Sequence, residues 1–276
     1  MTSGASVNEW WLRLPKPPFK PMTQFIYDGS YAGLFSSIFD VYERKCTDAS
    51  IIKQQHLQAL VFSENIEVYT DPEKAERVLK GLRKKVSPEC FANLYSCYLS
   101  ELKGIENTLL QFVQYVFSSR KNIEDDFGHG AVLDVAQVAR KVGREKHRFE
   151  AFVRFENIGD RFFYAPIDPD YNVLPLIVPH FKRRYADQDW IIYDTKRRYG
   201  VHYNQATEQV NEAIIDFTPH GTDLKPTGIS FDPDETLYQD LWKNYFKSTN
   251  IPMRRNMKLH LQHVPKRYWK YLVEKK

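Results

Sequence analysis

The spacing of apolar residues predicts helices over most of the first 120 residues. Asp28 and Gly29 form a turn, and Ser30 is placed to cap a helix in which apolar residues recur every three or four positions. A short strand is predicted over residues 61–69. The next helix has Thr70 or Asp71 as its cap and a proline in its first turn. Two further helices are predicted over residues 88–102 and 105–118.

The middle of the chain changes from helical to alternating spacing. One predicted helix has a valine- and alanine-rich face after residue 131, while Arg140, Arg144 and Arg148 lie on another face at intervals of four. The alternation that follows predicts strands over residues 151–157 and 161–167, joined as a hairpin by the turn Ile158-Gly159-Asp160.

The segment YNVLPLIVPHFKRRYADQ allows two interpretations, a short helix that starts near Val178 or a kink at Pro179. DWIIYDTKRRYGVHYN predicts two strands with a basic turn, and residues 208–217 a further strand. LYQDLWKNYFKSTN and NMKLHLQHVPKRYWKYL predict two basic amphipathic helices or helical turns.

Together these patterns predict an α+β fold with a helical N-terminal part, a central mixed or antiparallel sheet with helices, and basic C-terminal helices. We expect three regions. Residues 1–22 form an irregular arm rich in Pro and Trp, residues 23–128 a mostly helical lobe, and residues 129–276 an α+β lobe with the basic C-terminal helices. The two lobes are expected to form one compact unit.

Composition narrows the classes of protein that fit. The three cysteines, Cys46, Cys90 and Cys97, do not make a disulfide framework, and no CxxC indicates a metal site or cluster. We therefore expect a cytoplasmic protein without a cofactor or metal of its own. No apolar run is long enough to span a membrane, and the N-terminus lacks the apolar stretch of a signal peptide.

Charge is distributed unevenly along the chain. The net charge is +4, but residues 140–154, 180–204 and 243–276 together carry 22 Lys or Arg and only 6 acids. These windows sum to +16, and the rest of the chain sums to −12. If the windows meet on one face, as we expect, they form a positive surface suited to phosphate groups.

Several long stretches resemble one family. They are YDGSYAG, VGREKHRFEAFVRF, PDYNVLPLIVPHFKRRYADQ, WIIYDTKRRYG, YQDLWKNYFKSTNIPMRRN and PKRYWKYL. The chain resembles an uncharacterised bacterial family described as probable DNA metabolism or putative DNA repair proteins. The resemblance implies a nucleic-acid partner, and a radical-SAM protein as a second partner, because members tend to be encoded beside one. Some members are fused to a uracil-DNA-glycosylase-like domain. The resemblance assigns no catalytic residues.

The candidate nucleic-acid site combines arginines, which suit bidentate phosphate contacts and stacking, with tyrosines and tryptophan that can stack on bases. Ser248, Thr249 and Asn250 lie between the predicted C-terminal helices, where they bind a phosphate or simply cap a helix. The alternative is that these arginines are solvated and form ion pairs with acidic residues of the N-terminal half of the chain. The complete candidate set is Arg144, His147, Arg148, Arg154, Arg183, Arg184, Arg197, Arg198, Ser248, Thr249, Asn250, Arg254, Arg255, Lys266, Arg267, Tyr268 and Trp269.

The sequence supports candidate catalytic groups less strongly than it supports the candidate nucleic-acid site. Glu145 and His147 would make an acid–base pair, but residues two apart on a helix do not share a face, so we expect Glu145 to pair with Arg144 or Arg148 instead. His260 and His263 have helical metal spacing without a fixed third ligand, for which the candidates are Asp232 and Asp240. Aspartates around the PDYNVLP motif hold a metal, activate water, or simply build a turn and cap; they are Asp168, Asp170 and Asp187.

The resulting hypothesis is a DNA-binding protein of repair or modification that acts with a radical-SAM enzyme. A DNA-processing hydrolase or glycosylase is the first alternative, and an RNA-binding or interaction protein is the second. A buried carboxylate in a deep pocket would favour the enzyme, whereas a shallow basic groove would favour binding. In the predicted helix that carries them, Arg144 and Arg148 are expected to contact phosphate, while Phe152 or Phe155 anchors this helix to the sheet.

Overall fold

The computed structural model describes residues 22–57, 63–158, 162–213 and 263–272. They form an α+β fold, as predicted, with one parallel and one mixed sheet. The chain divides into two compact units, Met1–Phe91 with Lys103–Val132, and Ala92–Leu102 with Leu133–Lys276. The predicted N-terminal arm, apart from Met22, and the first of the predicted C-terminal helices lie outside the described residues.

The first unit contains a three-stranded parallel sheet that the spacing of apolar residues did not predict in full. Its strands are β1 (Met22–Tyr27), β2 (Ala49–Lys53) and β3 (Ser63–Glu67), in the order β2-β1-β3. Only β3 was predicted. Strands this short carry too few alternating positions to be told from loop or helix by pattern, and the N-terminal part is therefore less purely helical than expected.

The helices of the first 120 residues follow the predictions closely. Ser30 caps α1 by accepting the N–H of Gly33 at 2.9 Å, and Asp71 caps α2, which has a proline in its first turn. α3 ends three residues before the predicted boundary, and α4 has the predicted bounds. The four helices are α1 (Tyr31–Glu43), α2 (Pro72–Arg83), α3 (Pro88–Leu99) and α4 (Ile105–Ser118); a 3-10 turn covers Gln54–His56.

The turn between β1 and α1 is held by Asp28. Its carboxylate accepts the N–H of Ser30 at 2.8 Å and the hydroxyl of Thr70 at 2.8 Å. Gly33 is required here, because a Cβ on it would lie 2.3 Å from Asp28 Oδ1. Burial works to raise the pKa of Asp28, but the hydrogen bonds from Ser30 and Thr70 outweigh it and lower the pKa below its usual value.

The long helix α5 (Gly130–Phe152) is the main element of the candidate site. Val135, Val142 and Phe149 are buried along one side of it, at the predicted helical spacing. The strand predicted over residues 151–157 is wrong for most of its length, because the helix continues to Phe152 and only β4 (Glu156–Asn157) is extended.

The second sheet has five strands in the order β4-β5-β6-β7-β8. The predicted hairpin of β4 with β5 and the predicted pair of β6 with β7 are confirmed as antiparallel, whereas β5 and β6 run parallel. β8 also runs antiparallel to β7. The strands that complete the sheet are β5 (Phe162–Ile167), β6 (Asp189–Asp194), β7 (Tyr199–Asn204) and β8 (Gln209–Ala213).

The parallel pair is connected by α6 (Leu174–Arg184), which resolves the ambiguous segment. It begins four residues before the predicted position near Val178, with Pro175 in its first turn, where a proline needs no N–H partner. Pro179 lies inside the helix on its exposed side.

Among the described helices, none is long and apolar enough to cross a membrane.

The C-terminal described segment is a 3-10 helix, Lys266–Tyr271, that packs on α5 within the second unit. Tyr268 is buried, and its ring lies 5.4 Å from the rings of Phe149 and Phe152. Phe155 packs instead against Phe181 of α6 and Trp190 of β6. The expectation that an aromatic residue after the arginines anchors α5 to the sheet is therefore confirmed for Phe155.

Candidate nucleic-acid interface

One face of α5 lines an open groove of about 720 Å³. Its residues recur at intervals of three and four, so that they form a single stripe along the helix. His263 and Val264 supply further lining from the C-terminal segment. The α5 residues are Arg140, Gly143, Arg144, His147, Arg148, Ala151 and Phe152.

The stripe is basic and faces solvent. Arg140 and Arg144 are exposed, and the side chain of His147 is 85% exposed. Within the described part of the chain, no ion pair joins Arg140, Arg144 or Arg148 to an acid. Like charges four residues apart on a helix repel one another, at a cost of a few tenths of a kcal/mol for each pair. Among the described residues, the three arginines of the stripe therefore have no acidic partner.

The opposite side of α5 carries a buried carboxylate, Glu145. It accepts the backbone N–H groups of Asp170 at 3.0 Å and Tyr171 at 2.8 Å, and it forms an ion pair with Arg267. The expected pairing of Glu145 with Arg144 or Arg148 is wrong, because Glu145 points to the core while those arginines lie on the groove side. The actual partner of Glu145 is Arg267, which is distant in the sequence, and helical spacing indicates only partners within a few residues.

The aspartates of the PDYNVLP region contact other residues of the protein itself. Asp170 forms an ion pair with Arg267, and Lys270 lies 2.7 Å from Asp168. The N–H of Asp168 donates to the hydroxyl of Tyr271 at 2.8 Å. These contacts support the turn interpretation of this segment. The described residues contain no group of three or more His, Cys, Asp or Glu that could hold a metal ion.

Arg197, a candidate for phosphate contact, is engaged in the β6–β7 turn. It lies 2.9 Å from Asp194 and 2.8 Å from Glu101, and it donates to the carbonyl of Pro169 at 3.2 Å. Asp194 is fully buried, and this burial raises its pKa even though Arg197 favours the charged form. Arg197 thus compensates a buried charge, whereas its neighbour Arg198 is exposed at the turn with a φ of 58°.

Tyr268 joins the C-terminal segment to the basic stripe. The guanidinium of Arg148 lies 5.7 Å from the centre of its ring, and that of Arg267 lies 4.6 Å away. Trp269 donates its indole N–H to the carbonyl of Val264 at 3.1 Å, which fixes the segment that lines the groove. Tyr268 and Trp269 therefore hold the segment that lines the groove in place.

The remaining candidates are not among the groove-lining residues. Arg154 donates to the carbonyl oxygens of Ala151 and Val153, and Arg184 lies 5.7 Å from the ring of Tyr185. Arg183 and Lys266 are exposed. Ser248, Thr249, Asn250, Arg254 and Arg255 lie outside the described residues, as do His260, Asp232 and Asp240. The candidate set omitted Arg140 and Gly143, which the interval of three and four from Arg144 would have identified.

Comparison with known proteins identifies one family. The model of a domain of unknown function, DUF4130, matches residues 103–274, which is more than half of the chain. The match includes the whole of α5, the five-stranded sheet and the C-terminal 3-10 helix. No curated protein matches the chain.

Proposed function

The chain belongs to the family of the domain of unknown function DUF4130, and from the groove on α5 we propose that it binds nucleic acid, with DNA as the preferred ligand. The observation that carries this proposal is the stripe of Arg140, Arg144 and Arg148, which lines an open groove and has no acidic partner among the described residues. A polyanion is the ligand that such a surface attracts most strongly.

The groove is distinct from the other basic clusters of the second unit in one respect. Arg197 and Arg267 each contact acids of the protein, so much of their charge is compensated within the fold. Arg144 and His147 extend toward solvent from a helix whose other side is fixed by buried Val142 and Phe149. A rigid helix that presents cations in one direction holds them ready to contact phosphates, with little ordering needed on binding.

The lining of the groove favours a binding protein over a hydrolase or glycosylase. Its described residues include no carboxylate, cysteine or serine. The nearest buried carboxylate, that of Glu145, is saturated by two backbone N–H groups and Arg267. His147 and His263 also line the groove.

The DNA preference and the partner enzyme rest on the family resemblance. We propose that the protein acts in DNA repair or modification beside a radical-SAM enzyme, which would supply the chemistry while this chain supplies contacts to the nucleic acid. Co-expression with a radical-SAM protein from the same genome should yield a complex that survives size-exclusion chromatography. Separate elution of the two proteins in the presence of DNA would contradict this partnership.

The binding proposal is tested by fluorescence anisotropy with labelled DNA. Replacement of Arg144 and Arg148 by Ala should weaken binding by about tenfold or more, since each charged contact contributes on the order of 1 kcal/mol. The matched control is the double replacement of Lys141 and Lys146, which removes the same charge from α5 without changing the groove. Equal losses in both variants would contradict the proposed site. Tighter binding of RNA than of DNA would favour the RNA-binding alternative.

A further inference from the structure

Arg148 differs from the other arginines of the stripe in what surrounds it. Arg140 and Arg144 are exposed, whereas Arg148 is half-buried. Its guanidinium lies 5.7 Å from the centre of the Tyr268 ring, which belongs to the C-terminal 3-10 helix and not to α5. A guanidinium within about 6 Å of the centre of an aromatic ring is attracted to the ring face. Arg148 is therefore held in part from outside its own helix.

The ring that holds Arg148 is itself fixed by the core. Tyr268 is 1% exposed, and its ring centre lies 5.4 Å from those of Phe149 and Phe152. The two pairs of rings are inclined at 73° and 49°, in the range of edge contacts that aromatic pairs prefer. A side chain packed on several sides has little room to change position. Tyr268 thus gives Arg148 a fixed surface to lie against.

A second cation lies beside the same ring, and acids of the protein compensate its charge. The guanidinium of Arg267 lies 4.6 Å from the ring centre of Tyr268. Two uncompensated cations at one ring would repel each other. Arg267, however, forms ion pairs with Glu145 and Asp170. These two acids reduce the repulsion, so that Arg148 can occupy the same ring.

Contact with the ring prepares Arg148 for a phosphate group. A free arginine loses rotamer freedom when it contacts a ligand, and an arginine that is already restrained loses less. The attraction between a guanidinium and a ring face does not compete with hydrogen bonds from its N–H groups to phosphate. Phe152, which packs on Tyr268, lines the groove together with Arg148. The ring of Tyr268 therefore lies behind the groove lining, at the end of the stripe that Arg148 occupies.

We propose that Tyr268 is a positioning residue of the groove, which orients Arg148 toward a phosphate group and does not touch the nucleic acid itself. This inference rests on the proposed function and gives the C-terminal segment a role in it. It differs from the base stacking expected of this tyrosine from the sequence, because a ring that is 1% exposed presents no open face to a base.

The first measurement detects the contact without any ligand. The ring current of Tyr268 should shift the Nε–H NMR signal of Arg148, which is assigned by its loss in Arg148→Ala. Tyr268→Leu should move that signal, whereas Tyr268→Phe keeps the ring and should leave the signal in place. Tyr271→Leu is the matched control, because it removes another tyrosine ring from the same 3-10 helix, one that packs on Phe149. An Arg148 signal that is the same in Tyr268→Leu as in wild type would overturn the inference.

The second measurement is the affinity for labelled DNA in a double-mutant cycle. Tyr268→Leu should weaken binding about threefold, as expected for the loss of one cation–ring contact, and Tyr268→Phe should bind like wild type. The loss should disappear in an Arg148→Ala background and persist in an Arg144→Ala background, because only Arg148 depends on the ring.

Two other results would contradict this role. A loss that persists in the Arg148→Ala background, or that Tyr271→Leu reproduces, would show that Tyr268 acts by holding the segment in place, and would overturn this inference while the proposed function stands. Failure of the wild-type protein to bind DNA or RNA would refute the proposed function itself, and this inference with it, even if the NMR signal of Arg148 moved as expected.

Discussion

Glu145 and Arg267 form an ion pair although 122 residues separate them in the sequence. Glu145 belongs to the buried side of α5, and Arg267 belongs to the 3-10 helix that packs on it. The pair therefore holds the C-terminal segment against α5. Glu145 lies on the buried side of α5, whereas Arg140 and Arg144 are exposed on the side that lines the groove.

The first prediction concerns this support. Glu145→Gln should lower the free energy of unfolding by about 2 kcal/mol, because Arg267 loses a charged partner and two backbone N–H groups lose a charged acceptor. Glu150→Gln is the control, since Glu150 pairs with Lys146 at 3.6 Å on the same helix near its surface. That change should cost no more than about 0.5 kcal/mol. Urea denaturation followed by circular dichroism measures both, and equal losses would contradict a structural role for Glu145.

The second prediction separates two adjacent arginines. Arg197→Ala should destabilise the protein by about 3 kcal/mol, because it leaves the buried carboxylate of Asp194 without its cation. Arg198→Ala removes an exposed side chain and should change stability by less than about 0.5 kcal/mol. The thermal unfolding of both variants provides the measurement. If Arg198→Ala is the more destabilising of the two, the assignment of Arg197 to the turn is incorrect.

The third prediction is a pH dependence at the β1–α1 turn. Because the pKa of Asp28 in the folded state lies below its ordinary value of 3.8, the charged form stabilises the fold above that value, and the contribution is lost as pH falls through the folded pKa. Asp28→Asn should therefore lower the melting temperature at pH 6, and the difference from wild type should shrink below about pH 4. A difference that stays constant down to pH 2.5 would show that charge is not involved.

The fourth prediction concerns the three cysteines. Burial, together with nearby Glu124 and Glu89, raises the pKa of Cys90 to about 12, so its thiol stays protonated at neutral pH. Cys97 is fully buried and its thiol donates to the carbonyl of Val135. Cys46 is partly exposed. A thiol reagent at pH 8 should label one cysteine in the native protein and all three in denaturant. Rapid labelling of Cys90 in the native protein would contradict its burial.

Helical spacing was enough to predict several parts of the structure. The caps Ser30 and Asp71 and the basic face of α5 follow from local sequence, because capping and periodicity act within a few residues. The end of α5 was misjudged for a similar reason. Residues 152–155 alternate as a strand would, but packing of Phe149 and Phe152 on Tyr268 favours continuation of the helix to Phe152.

Contacts between distant segments were not predictable in the same way. No local pattern links Glu145 to Arg267 or Arg197 to Glu101, and both pairs depend on how the chain folds back. Three Arg-rich stretches looked equivalent in the sequence, yet Arg197 and Arg267 have acidic partners whereas Arg144 extends into the groove. Charge counts identify the candidates, but only tertiary structure separates compensated arginines from those available to a ligand.

The most direct test of nucleic-acid binding at the groove is the salt dependence of affinity. The logarithm of the association constant should fall linearly with the logarithm of salt concentration, and Arg144→Ala with Arg148→Ala should reduce that slope by about 1.4 on single strands or about 1.8 on duplex. The control, Lys141→Ala with Lys146→Ala, should keep the wild-type slope. An unchanged slope in the arginine variant, together with a lowered melting temperature, would show that these arginines stabilise the fold and do not contact nucleic acid.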